Sequence, residues 1–535
     1  MTPADRPPSS WTSRRIARAL GGFAGLAVVL TLADPGITVD EPLDVRPGRA
    51  YLAALRAEGL GSFTRDAVTR SYGDNKEHPP LGRWLLGIAS TLGEPFEVML
   101  TGGPDPLGLY VVSGRLAPAL TFALLVALVA SEAGARYGRP AAWAAGFALI
   151  AMPRVFAHAH LGALDLFIAA FWCLALFRAE HALGSPRPVR GMAFAGLFWG
   201  LALLVKIHAW LLPPIVLARA LTRVAPAKAI AGVATWTAAG LAVFLAGWPW
   251  LWFDTVARLR AYLGTGVERV SISVLYLGQV YRDRDVPWHF PWLHFAATVP
   301  VGLQALGLVG LAVAARARDG FGLTMAATIA AILAFFSTNM PVYDGERLYL
   351  LVFPLWAILV GRGFARIWDR LDGQRVGRAA LAISLGAQGY GVVAIHPFGL
   401  SYYNLLVGGL PGAERLGLEL AYWSESVDRT LLDRLGREAA PGETAALAPT
   451  LAPGQGQAAS GRLARRRLAL ADESEAEAAD WLVVYRRTAY WKGPIRRLIE
   501  DGDVVLDRRR QGVWLSAIVR RSKVGTPPGH RAGRL

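Results

Sequence analysis

The feature that most constrains this chain is a succession of apolar runs, most of them closed by arginines. They occupy residues 20–32, 107–130, 140–157, 161–177, 192–205, 207–221, 229–252, 292–315, 321–338, 347–360 and 379–395. The chain is 53% hydrophobic and 18% charged, whereas a soluble domain carries about 25% charge. A polytopic membrane protein is therefore expected, with about eleven helical spans, several shorter than the ~20 residues an upright helix needs. A single cysteine, Cys173, rules out an intramolecular disulfide and a cysteine-built metal site. The net charge of +16 does not indicate nucleic acid. The basic residues recur at the ends of apolar runs and form no separate patch interleaved with aromatics.

Charge also orients the spans. Arg14, Arg15 and Arg18 precede the first run, which places the N-terminus in the cytoplasm and the loop from Asp34 outside. The run is read as a retained helix, since many spans follow it and TLADP is a poor cleavage site. With eleven crossings every inner connection is basic, from Arg136 and Arg139 to the cluster at 362–378. Reading residues 192–221 as one tilted helix would put that cluster outside, so a hairpin is expected there, with Lys206 at its outer turn. The outer connections are different in kind. They hold PRVFAHAHLGALD, LVKIHAW, STNMPVYDGERLY and HPFGLSYYN, rich in Trp, Tyr, His and Pro. Interfacial aromatics explain part of this, but polar chemistry is concentrated on one side.

Five segments are expected. A disordered cytoplasmic N-terminus covers 1–15 and a membrane domain 16–400, whose first outer loop is 34–106. After residue 395 no further span is read. TAALAP, DWLVVYRR and VVLDRRRQGVWLSAIV alternate or run apolar like short strands, and 426–437 reads as a helix. A small outward α/β domain over 401–521 follows, with APTLAPGQGQAASG as a linker and a disordered tail over 522–535. No internal repeat and no nucleotide-binding glycine motif occurs, so an activated substrate would have to be membrane-borne.

The candidate chemistry begins in the first outer loop. Asp40 and Glu41 closely follow the first span, where solvated loop acids or a helix cap are the plain alternative. Glu77 and His78 stand before Pro79 and Pro80 at the entry to another apolar helix. The prolines have a local explanation as first-turn residues, but Glu77 and His78 do not. Asp165, four residues into a span, is costly in lipid and would face a cavity; a headgroup-level helix entry explains it equally well. His158, His160, His208 and His289 share the outer side. Hydrogen-bonded or interfacial histidines are commoner than ligands.

An Asp-Glu pair followed by an E-x-P-P-L element resembles the GT-C glycosyltransferases, and more narrowly the protein O-mannosyltransferase and aminoarabinose transferase group of glycosyltransferase family 39. SGRLAPAL, GLALLVKIHAWLLP and ERLYLLVFPLWAILVGRG resemble further motifs of that group in the same order, over roughly residues 16–403. Leu351 stands where the group has its first proline. The resemblance implies an all-α GT-C membrane fold carrying a small extracytoplasmic α/β domain. It also implies an inverting transfer of sugar from a polyprenyl-phosphate carrier to an acceptor hydroxyl of protein, lipid or glycan. Asp40 falls on the catalytic aspartate, with Glu41 beside it and Glu77 on the second acidic position. Lys206, Arg347 and Arg115 fall on cationic positions suited to the carrier phosphate. His78, Asp165, His208, Tyr343 and Asp344 are candidate substrate contacts, and Asp344 and Glu346 are alternatively neutralisers of Arg347. No cofactor is assigned; members of the group differ in using a divalent metal, so Glu77 with an outer-face histidine stays open as a ligand set. The Ala-, Arg- and Gly-rich composition fits a bacterial inner membrane and an undecaprenyl-type carrier. A flippase for a lipid-linked sugar and a non-catalytic assembly protein are the competing readings. The first would call for inverted repeats and midplane ionisable residues, neither of which is evident.

Overall fold

Apolar runs in lipid become helices because every backbone N–H and C=O must be satisfied within the segment. The computed structural model describes residues 10–73, 77–103, 109–265, 271–451, 468–471 and 473–521. The expected C-terminal tail, most of the expected linker and residues 1–9 fall outside these. Among the described residues four helices are long and apolar enough to cross a membrane: Val111–Tyr137, Asp165–Leu183, Pro226–Gly247 and Arg375–Ile395. A fifth span forms if Phe290–Thr298 and Val301–Ala317, bent by 114°, are taken together. Length and composition therefore do not reproduce the expected tally of about eleven spans, because several runs are divided and others, Pro188–Leu203 and Gly320–Phe335, form shorter helices.

The divisions have identifiable causes. The run 140–157 splits into Arg139–Ile150 and Pro153–His158, since a proline cannot donate into the preceding turn. The run 292–315 breaks at Pro300 for the same reason. The carbonyls freed there are recovered by Asn404, whose Nδ2 donates to Ala296 O at 2.7 Å and Val299 O at 2.6 Å. Residues 207–221 form a short tight turn, Ile207–Leu211, and then the helix Leu212–Arg223.

The helix Asp165–Leu183 serves as a ruler. Its first residue, Asp165, pairs with Lys206 at 2.5 Å, and Glu180 near its far end pairs with Arg219 at 2.6 Å. Fifteen helical residues rise roughly 22 Å, so the chain turns back at Lys206 and the two charged layers lie at opposite ends.

Apart from a short antiparallel pair, β1 Ser273–Tyr276 and β2 Gln279–Arg282, the strands form a five-stranded sheet near the C-terminal end, in the order β4-β3-β5-β7-β6. The strands are β3 Thr444–Ala448, β4 Ala469–Ala471, β5 Trp481–Tyr485, β6 Asp503–Arg510 and β7 Val513–Arg520. Strands β4, β3 and β5 are parallel, and β7 runs antiparallel to β5 and β6. Gln511 and Gly512, both at positive φ, make the two-residue turn that joins β6 to β7. Alternation puts Leu447, Trp481 and Val483 against Leu431 and Leu435 of the helix Arg429–Glu438. Ala446, Leu482 and Val484 face Ile495 and Ile499 of the helix Gly493–Asp501 on the other side. The preceding stretch does not belong to this layer. Tyr402, Tyr403, Leu410 and Leu418 are buried with the helical body, which ties the sheet to the helices.

Candidate active site

Two glycines bring the first loop together. The helix Asp40–Glu58 crosses the helix Leu81–Leu92 so closely that a Cβ on Gly48 would lie 2.0 Å from Arg83 O, and one on Gly87 2.1 Å from Gly48 C. No side chain fits at either place. Near the crossing Arg83 bonds Asp44 and His78 O, which ties the Glu77–Pro80 stretch to the helix whose first turn carries Asp40 and Glu41, where the helix dipole favours carboxylates. Leu81 N donates to Leu204 O at 2.9 Å, which fastens the same stretch beside Lys206.

Arg347 is the hub. It pairs with the Asp40 Oδ2, with Asp344 at 3.0 Å and with Asp165 at 3.4 Å. Asp165 is thereby shared between Arg347 and Lys206, which it accepts at 2.5 Å. The guanidinium lies over the Trp423 ring at 4.5 Å and the Tyr343 ring at 5.5 Å. Asp344 and Gly345 adopt φ of 54° and 65°, and that left-handed turn is tolerated by Asp and Gly. Four separate stretches of sequence thus converge on Arg347, and Asp40 keeps about a fifth of its side chain exposed.

Beside this network lies a cavity of ≈ 240 Å³, with Glu77, His78, Lys206, His208 and Tyr343 along it and Trp210, Phe335 and Phe336 on its apolar walls. Leu211 and Phe335 also line a larger apolar groove of ≈ 680 Å³, so the space runs on between the helices Leu212–Arg223 and Gly320–Phe335. Glu77 is exposed. His78 is half-buried, and burial together with the charges of Lys206, Arg83 and Arg347 holds its imidazole well below the usual range. It is neutral at physiological pH and can hydrogen-bond without competing for an anion.

Two sequence expectations change. Arg115 and Glu41 are both fully buried and face each other in two bonds, of 2.6 and 2.8 Å. Arg115 also donates to the carbonyls of Leu32, Pro35 and Gly36, and Glu41 accepts from Thr38 N and Gly162 N. Every donor group of the guanidinium is engaged, so Arg115 has none left for a phosphate, and the pair pins the loop to the helices. Glu346 does not neutralise Arg347 as Asp344 does. It pairs with Arg154 at 2.7 Å; burial works to raise its carboxyl, but Arg154, His158 and His294 together outweigh this and hold it at about 2. His158 and His160 have separate partners: His158 lies 3.4 Å from Glu346, while His160 bonds Thr31 Oγ1 and Phe156 O. Among the described residues no group of three or more His, Cys, Asp and Glu is placed to hold a metal ion.

Sequence reasoning missed several members. Asp44, one turn beyond Asp40, accepts from Arg83 Nε at 3.0 Å, and Arg83 Nη1 donates to His78 O at 3.2 Å. Arg83 thus holds the Glu77–His78 backbone. The i, i+4 spacing of Asp40 and Asp44 was the available signal. Trp423 and Arg487, from the far end of the chain, had none.

The overall fold is similar to that of the GT-C protein ArnT. ArnT from Cupriavidus metallidurans in the apo state superposes over 96% of this chain and 99% of that chain, with a TM-score of 0.52 and 16% identity. At that identity the likeness is one of fold. ArnT bound to undecaprenyl phosphate gives 18% identity over the same shares with a TM-score of 0.49. The archaeal oligosaccharyltransferase AglB from Archaeoglobus fulgidus, in complex with an inhibitory peptide and a dolichol-phosphate, gives 13% identity over 96% of this chain and 75% of that chain, with a TM-score of 0.43. The family model described as dolichyl-phosphate-mannose-protein mannosyltransferase matches residues 105–253, less than a third of the chain. No curated protein matches the sequence at a significant level.

Proposed function

We propose that this chain is an inverting glycosyltransferase that moves a sugar from a polyprenyl-phosphate carrier to an acceptor hydroxyl. The work would be done at the outer face of a bacterial inner membrane. The observation that carries the reading is the convergence of Asp40, Arg347 and Lys206 at the head of an apolar cavity. An amphiphile with a phosphate head and a long hydrocarbon tail fits that division of polar and apolar surface. The partial match to a family described by a dolichyl-phosphate sugar agrees with it.

The residues divide the work. Lys206 and Arg347 offer cations in a water-poor site, where they stabilise charge developing on the leaving phosphate. The phosphate leaves without protonation, so one carboxylate suffices, in contrast to the pair that flanks a glycosidic bond in hydrolysis. Asp40 is that carboxylate. In the structure Arg347 holds it, and a phosphate that draws the guanidinium away releases Asp40 to accept the acceptor proton. Glu77 and His78, on the cavity wall, supply hydrogen bonds to sugar or acceptor hydroxyls.

Asp40→Asn should lower transfer by ~10²–10⁴-fold, the range for loss of a general base, while abundance and membrane insertion stay normal. The assay is product formation by purified protein in detergent, and near-wild-type turnover by the variant would refute the base. Transfer without a sealed membrane also rejects obligatory lipid flipping as the function.

A further inference from the structure

Arg487 belongs to the terminal sheet domain, yet it reaches the network around Arg347. It follows β5 by two residues and is 2% exposed. Its Nη1 lies 2.6 Å from Asp344 Oδ1 and donates to Tyr422 O at 3.0 Å. The other Asp344 oxygen, Oδ2, accepts from Arg347 Nη1 at 3.0 Å and Trp423 Nε1 at 2.9 Å. One carboxylate therefore stands between two arginines, one from each part of the molecule.

The backbone around Arg487 is fixed for the purpose. Arg486 N pairs with Leu515 O of β7 at 2.9 Å, and Thr488 N and Ala489 N donate to Glu419 at 2.7 and 3.1 Å. Burial pushes the Glu419 carboxyl up to about 7, and the nearby Arg487 charge offsets part of that rise. Asp344 is thus the firmly ionised partner, since Arg487 and Arg347 together hold its carboxyl below the ordinary range against burial.

Charge balance shows what Arg487 does. Ion pairs join the carboxylates Asp40, Asp165 and Asp344 to the cations Lys206, Arg347 and Arg487. Three negative charges meet three positive ones. Without Arg487 the linked group carries one net negative charge and Asp344 has only Arg347 to neutralise it. Arg347 would then be held away from an incoming anion, and the anion would meet a repulsive field.

We propose that Arg487 is a positioning residue for the carrier phosphate, acting through Asp344 to leave the charge of Arg347 available to the anion. The sheet domain thereby completes the site formed by the helices. The inference rests on the carrier-phosphate reading above.

Binding of undecaprenyl phosphate to the purified full chain in detergent tests it, with undecaprenol as the probe that keeps the tail and lacks the charge. Arg487→Gln should weaken undecaprenyl phosphate binding by ~10-fold and leave undecaprenol binding unchanged. Arg487→Lys keeps the charge and should bind within ~3-fold of wild type. Asp344→Asn combined with Arg487→Gln restores the balance and should recover most of the affinity even if Arg487→Gln alone folds poorly. Equal binding by wild type and Arg487→Gln overturns the inference, as does parallel loss of both probes or a lysine variant no better than glutamine. A wild-type chain that binds the phosphate no better than the alcohol overturns the parent reading and the inference with it.

Discussion

The two ends of the helix Asp165–Leu183 carry similar residues arranged on different plans. At one end Asp165 divides its carboxylate between Lys206 and Arg347, and Arg347 divides its guanidinium among Asp40, Asp165 and Asp344. At the other, Glu180 holds Arg219 in two bonds of 2.6 and 3.2 Å. There Asp319 caps the helix Gly320–Phe335 through Phe321 N and Gly322 N and accepts from Tyr137 Oη at 2.7 Å. A cavity of ≈ 590 Å³ opens there too, lined by Arg136, Arg219, Arg223 and Arg362. Cavity size therefore does not distinguish the ends. Sharing between two permanent cations does, because a carboxylate so divided can release one partner to a substrate and keep the other, whereas a closed pair loses its whole partnership.

The Glu41–Arg115 pair lets that distinction be broken most forcefully, since it is a closed pair inside the divided end. Glu41→Gln leaves an uncompensated buried guanidinium, which should cost about 3–5 kcal/mol of stability. Asp40→Asn, one residue away, should cost far less, because Asp40 is partly exposed and Arg347 keeps two other carboxylates. Thermal unfolding of the two variants in one detergent checks this. If the two lowered the melting temperature equally, Glu41 would belong with the divided network.

A smaller effect sharpens the same end by pH. Burial pushes the Asp44 carboxyl up to about 6, against the pull of Arg83, whereas an unfolded Asp titrates near 3.9. The native state therefore binds this proton more tightly than the unfolded chain. The stabilisation is fully present below about pH 4 and is lost as pH rises towards 6. Asp44→Asn should flatten that part of the stability profile, and an unchanged slope between pH 4 and 6 would assign it to other groups.

What could be read beforehand follows physical range. Apolar runs, their arginine closures and the strands of the terminal sheet are local patterns, and they carried the fold class. The breaks at Pro153 and Pro300 were also written locally, in residues that cannot donate a hydrogen bond, but their repair by Asn404 was not. The meeting of Asp40, Lys206 and Arg347 in one network was readable only because a resemblance joined distant motifs. Arg115 shows the limit of that route. Its position matched, yet its burial and its five occupied donors depend on where residues 32, 35, 36 and 41 lie in space. Arg487 lies further out of reach, since its role requires the sheet domain to be docked on the helices.

The smallest expected effect lies at the Arg219 end and tests the comparison from its quiet side. Arg362 faces Asp319 at 3.6 Å with a quarter of its side chain exposed. Asp319 already accepts from Tyr137 and two backbone N–H groups, so losing Arg362 does not orphan it. Arg362→Gln should change stability by about 0–1 kcal/mol, as for loosely held, partly exposed pairs, and sugar transfer should proceed at the wild-type rate. The positive charge there is surplus to the local pairs, whereas at the Lys206 end each charge is matched by one in the linked network. A loss of transfer by Arg362→Gln with stability intact would mean that charge at the far end reaches the site. The division into an anchoring end and a working end would then fail, while the fold and the Asp40 assignment would stand.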